Sequence, residues 1–285
     1  MKLLQKIAKG YYRARFRTLG SVSPRIAAEA AFQLFCTPYS GKPKREMPPV
    51  FQQGTPVSLT FQQLTIRGFE WLPQGMPATH TLLICHGFDS FSYRFEDYVT
   101  RFLQLGYRVL AFDAPGHGIS DGKKLNIVEY KQIILDIIHR FGPVNGILSH
   151  SIGALAVALA AEELQQPDLK LTLIAPASEL SRAVHQFNHI FRLSPATHAA
   201  FVTRLEAAGG HPVQWFSVNR IVQHLQQPVM WLHDTEDKIC PFADTADTRL
   251  KHLPHVTFVQ TTGWGHSQIY REQSVQQQIA DFNLF

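Results

Sequence analysis

The 285 residues are 45% hydrophobic and only 17% charged, which supplies a large core and excludes a disordered chain. The formal charge of +5 is unevenly placed: residues 1–50 carry ten Lys or Arg against Glu29 and Glu46, so the remainder sums to −3. Three cysteines (Cys36, Cys85, Cys240) are too few for a disulfide framework and predict reduced thiols in a cytoplasmic protein. Lys6 and Lys9 interrupt any signal-peptide run at the start, and no stretch reaches the roughly 18 apolar residues of a membrane helix, so a soluble chain is expected.

From Leu3 to Phe35 the pattern is helical, basic at first and then Ala-rich after Pro24, a natural helix start. Thr37 to Pro56, rich in Pro, Gly and Lys, reads as an extended linker that completes an N-terminal arm over residues 1–56. Two strands, Val57–Phe61 and Leu64–Trp71, follow. Strand patterns at Thr81–Cys85, Arg108–Phe112, Gly146–Leu148, Leu171–Ala175, Val229–His233 and Val256–Gln260 then alternate with helical ones at Arg94–Leu105, Ile127–Phe141, Ile152–Leu164, Ala243–His252 and Gln268–Phe282. Runs such as Leu82-Leu83-Ile84 are apolar without alternation, as in strands buried on both faces. The alternation predicts an α/β fold, a mostly parallel sheet with helices on both faces. About fifty residues separate the sixth strand from Val229, too many for a loop. Residues 177–225 therefore read as a helical cap between core segments 57–176 and 226–285.

Gly146-Ile147-Leu148-Ser149-His150-Ser151-Ile152-Gly153 runs a strand into a small-x-Ser-x-small turn and then a helix, the pattern of a nucleophile elbow with Ser149 in place of the usual first glycine. Small neighbours are needed because the turn is tight, and the helix N-terminus favours developing negative charge. An ordinary Ser at a helix N-cap would give the same pentapeptide. His86-Gly87-Phe88 follows the first central strand, and Asp113-Ala114-Pro115-Gly116-His117-Gly118-Ile119-Ser120 the next. Asp234-Thr235-Glu236-Asp237-Lys238-Ile239-Cys240-Pro241 and Gly263-Trp264-Gly265-His266 close the series.

Together these segments resemble the α/β-hydrolase superfamily from about Val57 to the C-terminus, its H-G-x, D-x-x-G-H-G-x-S, x-S-x-G, D-x-x-x-P and G-H elements standing in chain order. The resemblance implies Ser151 as nucleophile, Asp237 as acid and His266 as base, with Phe88 and Ile152 N–H groups as the oxyanion hole. Asp234 and Glu236 are alternative acids beside Asp237. Asp113 and His117 are expected to hold their loop, and His150 to point away from the site. The implied reaction is acyl transfer from a small-molecule ester or thioester with an apolar acyl part, without cofactor or metal.

Phe187, Phe191, Trp215 and Phe216 are candidates for an acyl pocket or for packing of the cap. His185 and His189, four apart, read as surface or packing residues rather than metal ligands. The same triad would equally serve lactone, C–C or perhydrolysis chemistry, and a retired scaffold would be a non-catalytic binding protein. A prolyl-type peptidase is disfavoured, since Gly87-Phe88-Asp89 replaces that group's Gly-rich turn. The basic arm reads as a docking or solvated helix, with weak peripheral membrane contact as the other expectation and nucleic-acid binding without a motif.

Overall fold

Leu82, Leu83 and Ile84 are buried on both faces of their strand, and so are the apolar residues of its parallel neighbours. The computed structural model describes residues 2–39 and 46–284, with side chains from Lys6 onward; residues 40–45 of the predicted linker lie outside the described residues. Eight strands form one sheet: β1 (Thr55–Phe61), β2 (Leu64–Trp71), β3 (His80–Cys85), β4 (Tyr107–Phe112), β5 (Gly146–His150), β6 (Lys170–Ile174), β7 (Val229–Asp234) and β8 (Val256–Thr261). Their order is β1-β2-β4-β3-β5-β6-β7-β8. β2 pairs antiparallel with both β1 and β4, and the rest are parallel. The chain steps from β3 outward to β4 and returns to β5 on the other side of β3. Loops leaving the C-terminal ends of β3 and β5 thus meet at the switch point where such sheets bind ligands.

The helices are α1 (Lys2–Val22), α2 (Pro24–Phe35), α3 (Pro49–Gln52), α4 (Glu96–Gln104), α5 (Ile127–Phe141), α6 (Ile152–Ala161), α7 (Leu180–Phe191), α8 (Pro195–Gly209), α9 (Val218–Val222), α10 (Ala246–Lys251), α11 (Gly265–Gln268) and α12 (Gln273–Asn283). α6 is apolar on every side and buried from Gly153 to Ala161, as an all-round hydrophobic helix must be. Two departures from the sequence pattern stand out. Within the predicted linker, residues 49–52 form a helical turn that buries Phe51 completely and lets the Trp71 indole donate to the Val50 carbonyl at 2.8 Å. The single helix expected over Gln268–Phe282 is broken at Glu272, where the backbone is extended; this turns Ile269 and Tyr270 into the core.

The chain divides into two compact units, one made of residues 38–178 and 218–285, the other of residues 1–37 and 179–217. In the second, α1 and α2 pack with α7 and α8. Phe16 lies against Phe187 and Phe191, and Phe35 against Phe187 and Phe201, with ring centroids 5.4 to 6.3 Å apart. Arg13 donates to the Ile190 carbonyl at 2.7 Å and Arg204 pairs with Glu29 at 2.6 Å. Residues 1–37 of the predicted arm are therefore part of this unit. The two ends of the insertion meet as a short antiparallel bridge, Glu179 to Ser217, closed by the Ser217 hydroxyl donating to the Glu179 carboxylate at 2.6 Å. Phe16→Ala should cost this unit about 3 kcal/mol. Hydrogen exchange would then show faster amides in α1 and α7 and unchanged protection in β3 to β7.

Candidate active site

Ser151 stands between β5 and α6 with φ 56° and ψ −122°, a positive-φ conformation that side chains avoid. Its N–H donates to the Ile174 carbonyl at 3.1 Å, and its own carbonyl accepts from Ala154, Leu155 and Ala177, so the turn is held from several sides. A Cβ at position 153 would collide with the His86 carbonyl, and one at position 87 would meet the Ser151 Cβ at 2.9 Å. Both places demand glycine. Ser149 fits where glycine was expected because its hydroxyl donates to the Thr172 carbonyl at 3.0 Å.

The loops after β5, β7 and β8 bring three side chains into line. His266 Nε2 lies 3.0 Å from Ser151 Oγ, and His266 Nδ1 lies 2.7 Å from Asp237 Oδ2. With Nδ1–H donating to the carboxylate, Nε2 is the acceptor facing the hydroxyl. Asp237 Oδ1 accepts the N–H groups of Ile239 and Cys240, each at 2.8 Å. Burial alone would raise the Asp237 pKa; the hydrogen bond and charge of His266 and these two N–H groups hold it below the usual carboxylate value. The alternative acids are placed otherwise. Asp234 is spent on the Thr261 hydroxyl and the Glu236 and Trp264 N–H groups, and Glu236 is exposed.

Two further histidines support the line. His150 was expected to point away from the site, but its Nε2–H donates to the His266 carbonyl at 2.9 Å, and its ring lies 4.7 Å from the His266 ring. Its face of β5 is the one covered by the segment carrying His266 and Tyr270. His233 Nε2–H donates to the Cys240 carbonyl at 2.7 Å and so backs the Asp237 loop. The Cys240 thiol contacts Ser151, yet burial pushes its pKa up, leaving a protonated thiol beside the hydroxyl.

The Asp113 to Ser120 segment is a scaffold. Asp113 accepts the Ser92 N–H at 2.7 Å and the Ile119 N–H at 2.9 Å, and a side chain on Gly118 would strike its carboxylate. His117 donates from Nδ1 to the Pro115 carbonyl and accepts the Asp89 N–H on Nε2. His86 likewise donates to the Gly87 carbonyl and accepts the Ala114 N–H. These two imidazoles fix the turn that carries Phe88, which is half-buried and follows Gly87. Ile152 opens α6, where an N–H has no intrahelical acceptor. Of the two residues named for the oxyanion hole, Ile152 directly follows Ser151, and Phe88 follows Gly87, where a Cβ would meet the Ser151 side chain.

The other named residues lie in the second unit. Phe187, Phe191 and Phe216 are buried there, the first two among the rings of Phe16, Phe35 and Phe201, while Trp215 stacks on His211 at 3.9 Å. Packing within the unit accounts for the burial of Phe187 and Phe191. His185 and His189 are exposed on α7. Among the described residues no group of three or more His, Cys, Asp or Glu could hold a metal ion, and no helix is long and apolar enough to cross a membrane.

The model of the family described as serine aminopeptidase, S33, matches residues 77–224, just over half of the chain. The chain belongs to the α/β-hydrolase superfamily. The matched segment contains Ser151, Phe88 and Ile152 but ends before Asp237 and His266, so those two rest on the geometry above. Lysophosphatidylserine lipase ABHD12 of Xenopus tropicalis is 25% identical over 201 residues, covering 62% of this chain and 50% of its own length. The chain thus spans half of that relative. Monoglyceride lipase of Homo sapiens is 26% identical over 114 residues, 37% of either chain. Among solved structures, an esterase of Pyrococcus furiosus superposes with TM-score 0.63 at 19% identity, over 86% of this chain and 97% of that one. Est1E of Butyrivibrio proteoclasticus, solved with ferulic acid, gives 0.62 at 19%, over 79% and 97%.

Burial lowers the pKa of His86 and His117 to about 4 and that of His150 to about 3, from an ordinary 6.5. Unfolded, each imidazole takes up a proton near pH 6.5; folded, each stays neutral until far lower. Between those limits the unfolded chain binds more protons, so stability rises with pH and is lost on acidification. Asp113, whose pKa burial raises, acts in the opposite sense near the carboxylate range. Thermal melts between about pH 7 and about pH 5 should show Tm falling with a slope of more than one proton.

Proposed function

We propose that this chain is a serine hydrolase that cleaves a carboxylic ester or thioester through an acyl-enzyme on Ser151. The unbroken line from Asp237 through His266 to Ser151, at 2.7 and 3.0 Å, carries the reading. As the Ser151 hydroxyl attacks the carbonyl carbon, His266 Nε2 takes its proton and later gives it to the departing alkoxide or thiolate. Water, deprotonated by the same nitrogen, then attacks the acyl-enzyme and releases the acid. Asp237, held ionised by its N–H donors, orients the ring and stabilises its charged form. The oxyanion of each tetrahedral intermediate is assigned to the Phe88 and Ile152 N–H groups, of which one such donor typically contributes about 2.7–4 kcal/mol.

The lipases and esterases among the similar proteins favour an ester over an amide. The lysophosphatidylserine and monoglyceride in two of these relatives' names favour an apolar acyl part. The family description favours a second reading, removal of an N-terminal residue from a peptide by the same steps. A fluorophosphonate probe together with a panel of acyl esters, acyl thioesters and aminoacyl anilides tests both. Labelling should vanish in Ser151→Ala, and Asp237→Asn should lower ester turnover by about four orders of magnitude, with wild-type turnover confined to the esters and thioesters. Failure of the folded protein to label would overturn the hydrolase reading. Labelling with turnover of anilides alone would move the assignment to the peptidase.

A further inference from the structure

α1 has two opposite faces, and the unit it belongs to uses one. Tyr12 and Phe16 turn inward, Tyr12 against Phe191 at 6.1 Å and Phe16 against Phe187 and Phe191. Away from Phe16, at steps of three and four residues, stand Ile7, Tyr11, Ala14, Thr18 and Val22, all exposed, with the Tyr11 ring edge-on to that of Tyr12 at 5.2 Å. Ile7 is 59%, Tyr11 60% and Val22 77% accessible, an outlay of apolar surface on a helix already anchored from its other side. Lys6, Arg15 and Arg17 flank this stripe and Lys9 is exposed on the other side of the helix, and no carboxylate among the described residues pairs with them. α1 contains no acidic residue, even in its first turn, where the helix dipole favours one.

The chemistry of this face narrows its partner. A bare phosphate backbone would match the cations and leave Ile7, Tyr11 and Val22 in water. A second copy would match the apolar stripe and bring two cationic rims together. An anionic bilayer surface takes both, the aliphatic and tyrosyl groups at the level of the headgroups and the cations against lipid phosphates. We propose that α1 is an interfacial helix that seats the protein on anionic lipid membranes. The proposal does not depend on the hydrolase reading, since it uses none of the residues around Ser151.

Co-sedimentation of the full-length protein with phosphatidylcholine vesicles, with and without about one third phosphatidylglycerol, tests it. Binding should require the anionic lipid and weaken as salt is raised. Each cation near such a surface is worth roughly fivefold in partitioning, so Arg15→Gln with Arg17→Gln should weaken binding about 25-fold. Ile7→Gln with Tyr11→Gln should weaken it as well, while turnover of a water-soluble ester and the thermal melt stay as in wild type. Equal binding to both vesicles, no binding, or binding indifferent to both double variants would overturn the proposal. Light scattering that shows a dimer lost in Ile7→Gln/Tyr11→Gln, without vesicle binding, would assign the face to a second copy. Retention on heparin without vesicle binding would assign it to another polyanion.

Discussion

The backbone of Ser151 is the constraint on which the site depends. A non-glycine residue at φ 56° and ψ −122° costs on the order of 1–3 kcal/mol, and it persists only where its surroundings overrule the local preference. Here four backbone hydrogen bonds tie the N–H and carbonyl of this residue to β6, to α6 and to the segment after β6. The absence of side chains at 87 and 153 lets the neighbouring loop close in until the two chains touch. The strain lifts Oγ off the end of the sheet into reach of His266, and it sets the Ile152 N–H at the free start of a helix. Relaxing the turn would lose both at once.

Around this point the histidines divide into two kinds by burial. His86, His117, His150 and His233 are buried, hold their pKa values down, and use both or one of their ring nitrogens to bind backbone groups. His86 and His117 span two backbone groups each, and His150 and His233 each hold one carbonyl. His266 is different: one nitrogen faces a hydroxyl whose proton it can take, and the other is held by a carboxylate that stabilises the charged ring. The same residue type serves as scaffold or as proton carrier according to what faces its two nitrogens.

Much of this was legible before folding, for reasons that can be named. The elbow and the G-H-G turn need particular residues because the backbone there leaves no room for others, Gly118 beside Asp113 being an example. The Asp to Pro loop needs Asp237 to accept the Ile239 and Cys240 N–H groups. α5 began and ended as expected because Asn126 caps it, accepting the Val128 N–H, and Gly142 follows its last residue. What the pattern hid is what depends on distant partners. His150 gains its role from a loop 116 residues away, and strand alternation alone says nothing of what covers its face. Phe51 looked like part of a linker because Pro and Gly dominate its neighbours, while its burial comes from Phe69, Trp71 and Tyr93. Tyr12 and Phe16 sit among so many cations that their inward face shows only beside Phe187 and Phe191.

The helical unit is assembled from two stretches of chain that the ribosome makes far apart in time. α1 and α2 emerge before α7 and α8, with Phe16 and Phe35 awaiting the rings of Phe187, Phe191 and Phe201. At about 5–20 residues per second, α7 and α8 follow only after roughly ten seconds or more. During that interval Tyr12 and Phe16 of a basic helix lack the rings of Phe187 and Phe191 that cover them in the folded unit.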